Sequence, residues 1–242
     1  VFGDTSRTVC DWMDEYYAKG IRSIQPVHQL NNRFAGVGPF HLIFQIFQHL
    51  ADNVVTDNVN VDFEYCAGFQ TFLQQLILSG GEILATPCFG FACRQYVVNT
   101  NTFVGPCLPC DASQGIINTY GLTQDGERLI CEMMRRGMLI DVAHVGEYSV
   151  RQTFEILKTH LYYPFYLSHG LFRGIVKEPR EKEEKPTPDW MADLVKQTGG
   201  VHGIVVGGHV VKTLPFGSVD NDCAGSSRSF AQIYEYGTRH LK

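Results

Sequence analysis

Arg135-Arg136-Gly137-Met138-Leu139-Ile140-Asp141-Val142-Ala143-His144 carries the fold in miniature. Two basic residues and a glycine close a helix, and an apolar run that ends on a polar residue follows. Cations are favoured at the C-terminal end of a helix dipole, and glycine readily takes the left-handed conformation that stops a helix. Just upstream, Leu129, Ile130, Met133 and Met134 recur at helical spacing after Gly121-Leu-Thr-Gln-Asp-Gly126. The run from Met138 to His144 is apolar almost throughout and does not alternate. A strand of that kind belongs in a parallel sheet covered on both faces.

The same order recurs on either side. Trp12, Met13, Tyr16 and Tyr17 predict a helix that stops at Gly20, followed by a strand from Ile21 to His28 with Pro26 near its end. A loop from Asn31 to Gly38 leads to an apolar helix of Leu42, Ile43, Ile46, Phe47 and Leu50. Tyr148 to Lys158 reads as a helix and Pro164 to His169 as a strand. A solvated charge run, Lys177 to Lys185, precedes a helix with Thr187 as N-cap and Pro188 at its first position. Gly199-Gly200 closes it, and Val201 to Val206 is a further strand. Repeated helix-to-strand units point to an α/β fold, a barrel or a doubly wound sheet. No G-x-G-x-x-G opens a helix after a strand, so the dinucleotide-binding sheet drops out and a barrel is favoured.

Hydrophobic residues make up 44% of the 242 residues and charged residues 19%, enough apolar content to build a core. A net charge of −5 argues against a nucleic-acid surface, and no apolar stretch is long enough to span a membrane. The opening Val-Phe-Gly-Asp-Thr has neither an initiator methionine nor a signal pattern, so a processed chain or a piece of a longer one is expected. Residues from about 60 to 120 read as a loop insertion in which Cys88, Cys93, Cys107 and Cys110 cluster. Two disulfides in an oxidising compartment are favoured there, which leans the localisation to secreted or periplasmic. A C-x4-C, C-x2-C zinc knot and free thiols are the alternatives.

Three predicted strands finish on or beside histidine: His28, His144 and His169. In a barrel the C-terminal strand ends converge on one mouth, where sites are built. A single histidine is more often a satisfied core or surface residue, but three at equivalent places point to a polar pocket. Neutral imidazole is the commonest ligand for zinc. Asp141 alternates away from His144 and is not expected to be a ligand. His41, His49, His160 and His240 are weaker, His202 lies at the wrong end of its strand, and His209 is a minor candidate.

Gly121 to Ile130, Met134 to His144, and Leu167-Ser168-His169 together resemble the membrane (renal) dipeptidase family of metallopeptidases. Gly20 to Gly36 looks like an upstream block of its bacterial and divergent members. The resemblance implies a (β/α)8 TIM-type barrel with two zinc ions that share a bridging carboxylate. It implies that His144 and His169 ligate one zinc, and that His28 is the pocket histidine that contacts the substrate or its tetrahedral intermediate. It implies an arginine for the substrate carboxylate, with Arg180 the nearest match and Arg173 the fallback. The family's early His-x-Asp pair does not occur here, and its bridging Glu and late Asp would fall outside the chain. A single partial barrel domain over 1–242 is therefore expected, with the second zinc's ligands elsewhere. Its missing strands would come from the rest of a longer protein or from a complementing chain, and a homo-oligomer is also open. The expected function is hydrolysis of dipeptides or related small amides by metal-activated water. The alternatives are a non-catalytic barrel relative in a structural or assembly role, and lactone or deaminase chemistry on the same scaffold.

Overall fold

A computed structural model describes residues 6–28, 32–38, 121–177, 184–205, 211–220 and 226–241. Its elements run α1 (Val9–Ala18), β1 (Ser23–Ile24), α2 (Gln124–Arg135), β2 (Leu139–Asp141), α3 (Glu147–Thr159), β3 (Phe165–Gly170), α4 (Asp189–Gln197), β4 (Val201–Ile204) and α5 (Ser227–Leu241). A 3₁₀ turn, Arg173–Ile175, follows β3. The predicted cysteine-rich insertion and the apolar helix of Leu42 to Leu50 lie outside the described residues.

The four strands form one sheet in the order β1-β2-β3-β4, every neighbouring pair parallel. Parallel neighbours need a crossover, and helices supply it on this chain. Among the described residues the sheet is open at β1 and β4, an α/β unit with a parallel sheet of four strands.

Local chemistry sets the helix ends. Thr8 and Asp11 form a reciprocal capping box at the start of α1. Thr123 Oγ1 accepts the Gly126 N–H at 3.0 Å and caps α2. Position 126 has no room for a side chain, since a Cβ there would lie 2.0 Å from the Phe34 carbonyl oxygen. Gly137, at φ +64°, makes the left-handed exit from α2 into β2. Leu129, Ile130, Met133 and Met134 face inward as their spacing predicts, and pack with Met13, Ile140, Phe165 and Leu167 into the main core. Full burial of each such side chain contributes roughly 1.5–3 kcal/mol. A second cluster, with Phe172, Ile175, Ala192 and Ile233, joins the 3₁₀ turn to α4 and α5.

Two expectations need correction. β1 and β2 are shorter than predicted, while β3 has its predicted length: β1 covers two residues because Pro26 has no N–H for a ladder, and β2 stops at Asp141. Pro188, not Thr187, occupies the N-cap of α4, because the Thr187 hydroxyl is bonded to His202 instead.

Candidate active site

The chain turns sharply at the C-terminal end of β2. The Asp141 carboxylate accepts the Ala143 N–H at 3.0 Å, and Val145 N–H bonds back to the Val142 carbonyl at 3.0 Å. His144 sits in that turn, three positions beyond the strand. The loop 32–38 is tied to the same turn: Gly38 N–H donates to the His144 carbonyl and Gly146 N–H to the Gly36 carbonyl, both at 2.8 Å. His169 is the penultimate residue of β3, so neighbouring parallel strands deliver the two histidines to one end of the sheet.

They meet there. The Nε2 atoms of His144 and His169 are 2.9 Å apart. The His28 ring, four residues past β1, lies with its centroid 4.3 Å from that of His144. The sequence therefore identified three imidazoles that tertiary structure brings together. The strand-end reasoning works even though two of them lie in the turns just past the strands.

Burial is the largest influence on both rings. It pushes the His144 pKa down to about 3, assisted by the Lys185 ammonium and by His28 and His169. His169 is lowered too, by burial and then Lys185, with Asp141 opposing. Both rings are thus neutral near pH 7, the form that offers a lone pair to a metal. Ser168 Oγ lies 2.9 Å from His169 Nδ1 and fixes the ring from behind, as partners of metal-bound histidine do.

Two nitrogens at 2.0–2.1 Å from one tetrahedral zinc stand about 3.3 Å apart. The observed 2.9 Å lies close to that, so the pair fits as two ligands of a single ion. Among the described residues, no three of His, Cys, Asp or Glu converge in a geometry that would hold a metal. A complete coordination shell would need donors from outside them.

The arginines separate. Arg180 lies outside the described residues. Arg173, the fallback, is committed internally: its Nη2 donates to Glu147 Oε1 at 2.5 Å and to the Glu184 carbonyl at 2.9 Å. That pairing corrects the expectation that Arg173 is available for a substrate carboxylate. His202 belongs to the core and not to the site. Its Nε2 lies 2.9 Å from Thr187 Oγ1, its ring stacks on Phe172, and burial drives its pKa down to about 4. His209 lies outside the described residues.

One site residue escaped the sequence reading. Lys185 closes a run that looks solvated, yet its Nζ is 3.3 Å from His144 Nε2. Beside it Glu184 is buried, and its carboxylate accepts the Glu147 N–H at 2.5 Å, at the start of α3. Nothing in a string of Lys, Glu and Pro distinguishes these two from their solvated neighbours.

Residues 99–237, more than half of the chain, match the family model described as membrane dipeptidase (peptidase family M19). That range contains His144, His169, Arg180 and Lys185, and His28 precedes it. The chain is 30% identical over 102 residues to Dipeptidase 3 of Mus musculus, covering 42% of this chain and 19% of the relative. It is 31% identical over 81 residues to Dipeptidase verJ of Clonostachys rogersoniana, covering 34% of this chain and 19% of the relative. Among solved structures, the probable dipeptidase PvdM from Pseudomonas aeruginosa aligns at 22% identity and a TM-score of 0.33, over 39% of this chain and 22% of that one. The chain thus spans about a fifth of the length of these relatives. A family match that extends over both histidine-bearing strand ends has one conclusion: this chain belongs to the membrane dipeptidase family.

Proposed function

We propose that the protein is, or forms part of, a zinc-dependent hydrolase that cleaves the amide bond of dipeptides or related small amides. The approach of His144 Nε2 to His169 Nε2, on neutral rings at one end of a parallel sheet, is the observation that carries this reading. His144 and His169 would hold one zinc, and a second zinc would take its ligands from outside this chain. The barrel would close on further strands, from the remainder of a longer protein, a second copy or a complementing chain. When bound, the metal would polarise the scissile carbonyl and lower the pKa of water to near 7.

The chain's own residues supply the surroundings. Ser168 holds the His169 ring in orientation through Nδ1. Asp141 fixes the spacing of the two strand ends through Ala143 and Ser168. His28, exposed beside His144, would donate a hydrogen bond to the oxygen of a carbonyl that becomes tetrahedral. Arg180 would anchor the substrate carboxylate through two parallel N–H bonds. A secreted or periplasmic location fits the cysteine content.

One observation favours a second reading. Among the described residues no group of three donors has a metal-holding geometry, which also suits a non-catalytic barrel relative in an assembly. Metal content and dipeptide hydrolysis of the full-length native protein separate the two. Bound zinc that drops at least tenfold in His144→Ala and His169→Ala, together with turnover of dipeptides, supports the hydrolase. Unchanged zinc in both variants would overturn the ligand assignment.

A further inference from the structure

We infer that Lys185 is an internal competitor for the metal position, an ammonium seated on the same His144 nitrogen that a cation would use. The inference rests on His144 and His169 being metal ligands, as proposed above. Imidazole Nε2 has one in-plane lone pair. At His144 that nitrogen faces His169 Nε2 at 2.9 Å and Lys185 Nζ at 3.3 Å. The ammonium thus lies against the His144 nitrogen that a cation would use, and close enough to His169 to lower that ring's pKa as well. A zinc ion and an ammonium cannot both stand there, since the two are positive and both require the same electron pair. Metal uptake therefore requires the lysine to withdraw.

The lysine is not on a loose arm. Glu184, immediately before it, is fixed at both ends of the residue: its carboxylate accepts the Glu147 N–H, and its carbonyl accepts from Arg173. Two residues on, Thr187 N–H donates to the Leu171 carbonyl at 2.8 Å, and its own carbonyl accepts the Arg173 N–H at 2.7 Å. The backbone around Lys185 is thereby held on both sides, to the start of α3 and to the segment that follows β3. It is the side chain, with its four-carbon stem, that would have to swing away. Such an arrangement sets the metal affinity of the site by holding a rival charge within reach.

Zinc affinity of the full-length protein, measured by competition with a chromophoric chelator, tests this. Lys185→Met keeps the length of the side chain and removes the charge; Lys185→Ala is the second variant, and Lys196→Met on the exposed side of α4 is the control. Urea midpoints accompany each measurement, so that loss of fold is not read as loss of binding. Binding at least tenfold tighter in both Lys185 variants, unchanged in Lys196→Met and abolished by adding His144→Ala, is the expected result. Equal or weaker binding in the Lys185 variants, with His144→Ala still abolishing it, overturns the competition while leaving the ligand pair intact. Zinc that persists in the Lys185→Met, His144→Ala double variant overturns the ligand assignment itself, and the competition with it.

Discussion

Asp141 Oδ1 accepts the backbone N–H of Ser168 at 3.0 Å, and so joins the end of β2 to β3 through a side chain instead of a ladder bond. The same oxygen takes the Ala143 N–H at 3.0 Å. The carboxylate is buried and lies three residues before His144, while Ser168 immediately precedes His169. One oxygen thus sets the geometry of the strand ends that present both imidazoles.

Removing that oxygen leaves two amide donors without their acceptor. Each such loss costs about 1–3 kcal/mol, so Asp141→Ala should lower stability by about 2–4 kcal/mol in urea denaturation. Asp141→Asn keeps an oxygen at the same place and should lose less than half as much. Equal losses in the two variants would show that charge, not the acceptor, holds the strands.

Arg173 gives a prediction that separates structure from recognition. Glu147 is buried, and Arg173→Ala would strand its carboxylate without a cation. Breaking a pair of this kind costs about 3 kcal/mol when fully buried. Arg173 is part-exposed and solvent screens the pair, so the expected loss is about 2 kcal/mol. Thermal unfolding at constant pH reads it. A variant of undiminished stability whose KM for dipeptides rises would instead mark Arg173 as a substrate contact.

His202 should make the fold acid-sensitive. Its pKa stands near 4 in the folded protein against 6.5 ordinarily, because burial disfavours the imidazolium. A histidine held neutral contributes stability that is fully present above pH 6.5. The contribution is lost as pH falls from 6.5 towards 4, where the unfolded chain binds a proton that the folded one refuses. The full span is on the order of 3 kcal/mol. His202→Gln retains an acceptor for the Thr187 hydroxyl and cannot titrate, so its urea midpoint should fall less between pH 7 and pH 4 than that of the parent. Parallel pH profiles would remove His202 as the cause.

The elements were legible to different degrees, for physical reasons. α2 was read correctly from Leu129, Ile130, Met133 and Met134, because a helix repeats its contacts within one short segment. α3 likewise begins and ends within a residue of its predicted bounds. The length of β2 was overestimated, because where it stops depends on a carboxylate that bonds to a residue of another strand. Thr187 looked like a cap because caps are local, but a histidine distant in sequence took its hydroxyl. Arg173 looked available for the same reason, its carboxylate partner lying on α3.

What the amino-acid order determined alone was the alternation of helix and buried strand, and the placing of histidine at the ends of separate strands. Those are consequences of periodicity and chain direction, which need no partner. Tertiary structure alone decided that the nitrogens of His144 and His169 approach to 2.9 Å, that Lys185 turns from an apparently solvated run towards them, and that Arg173 turns inward to Glu147. Each of those depends on a distance between residues remote in sequence, and such distances exist only once the sheet has set its register.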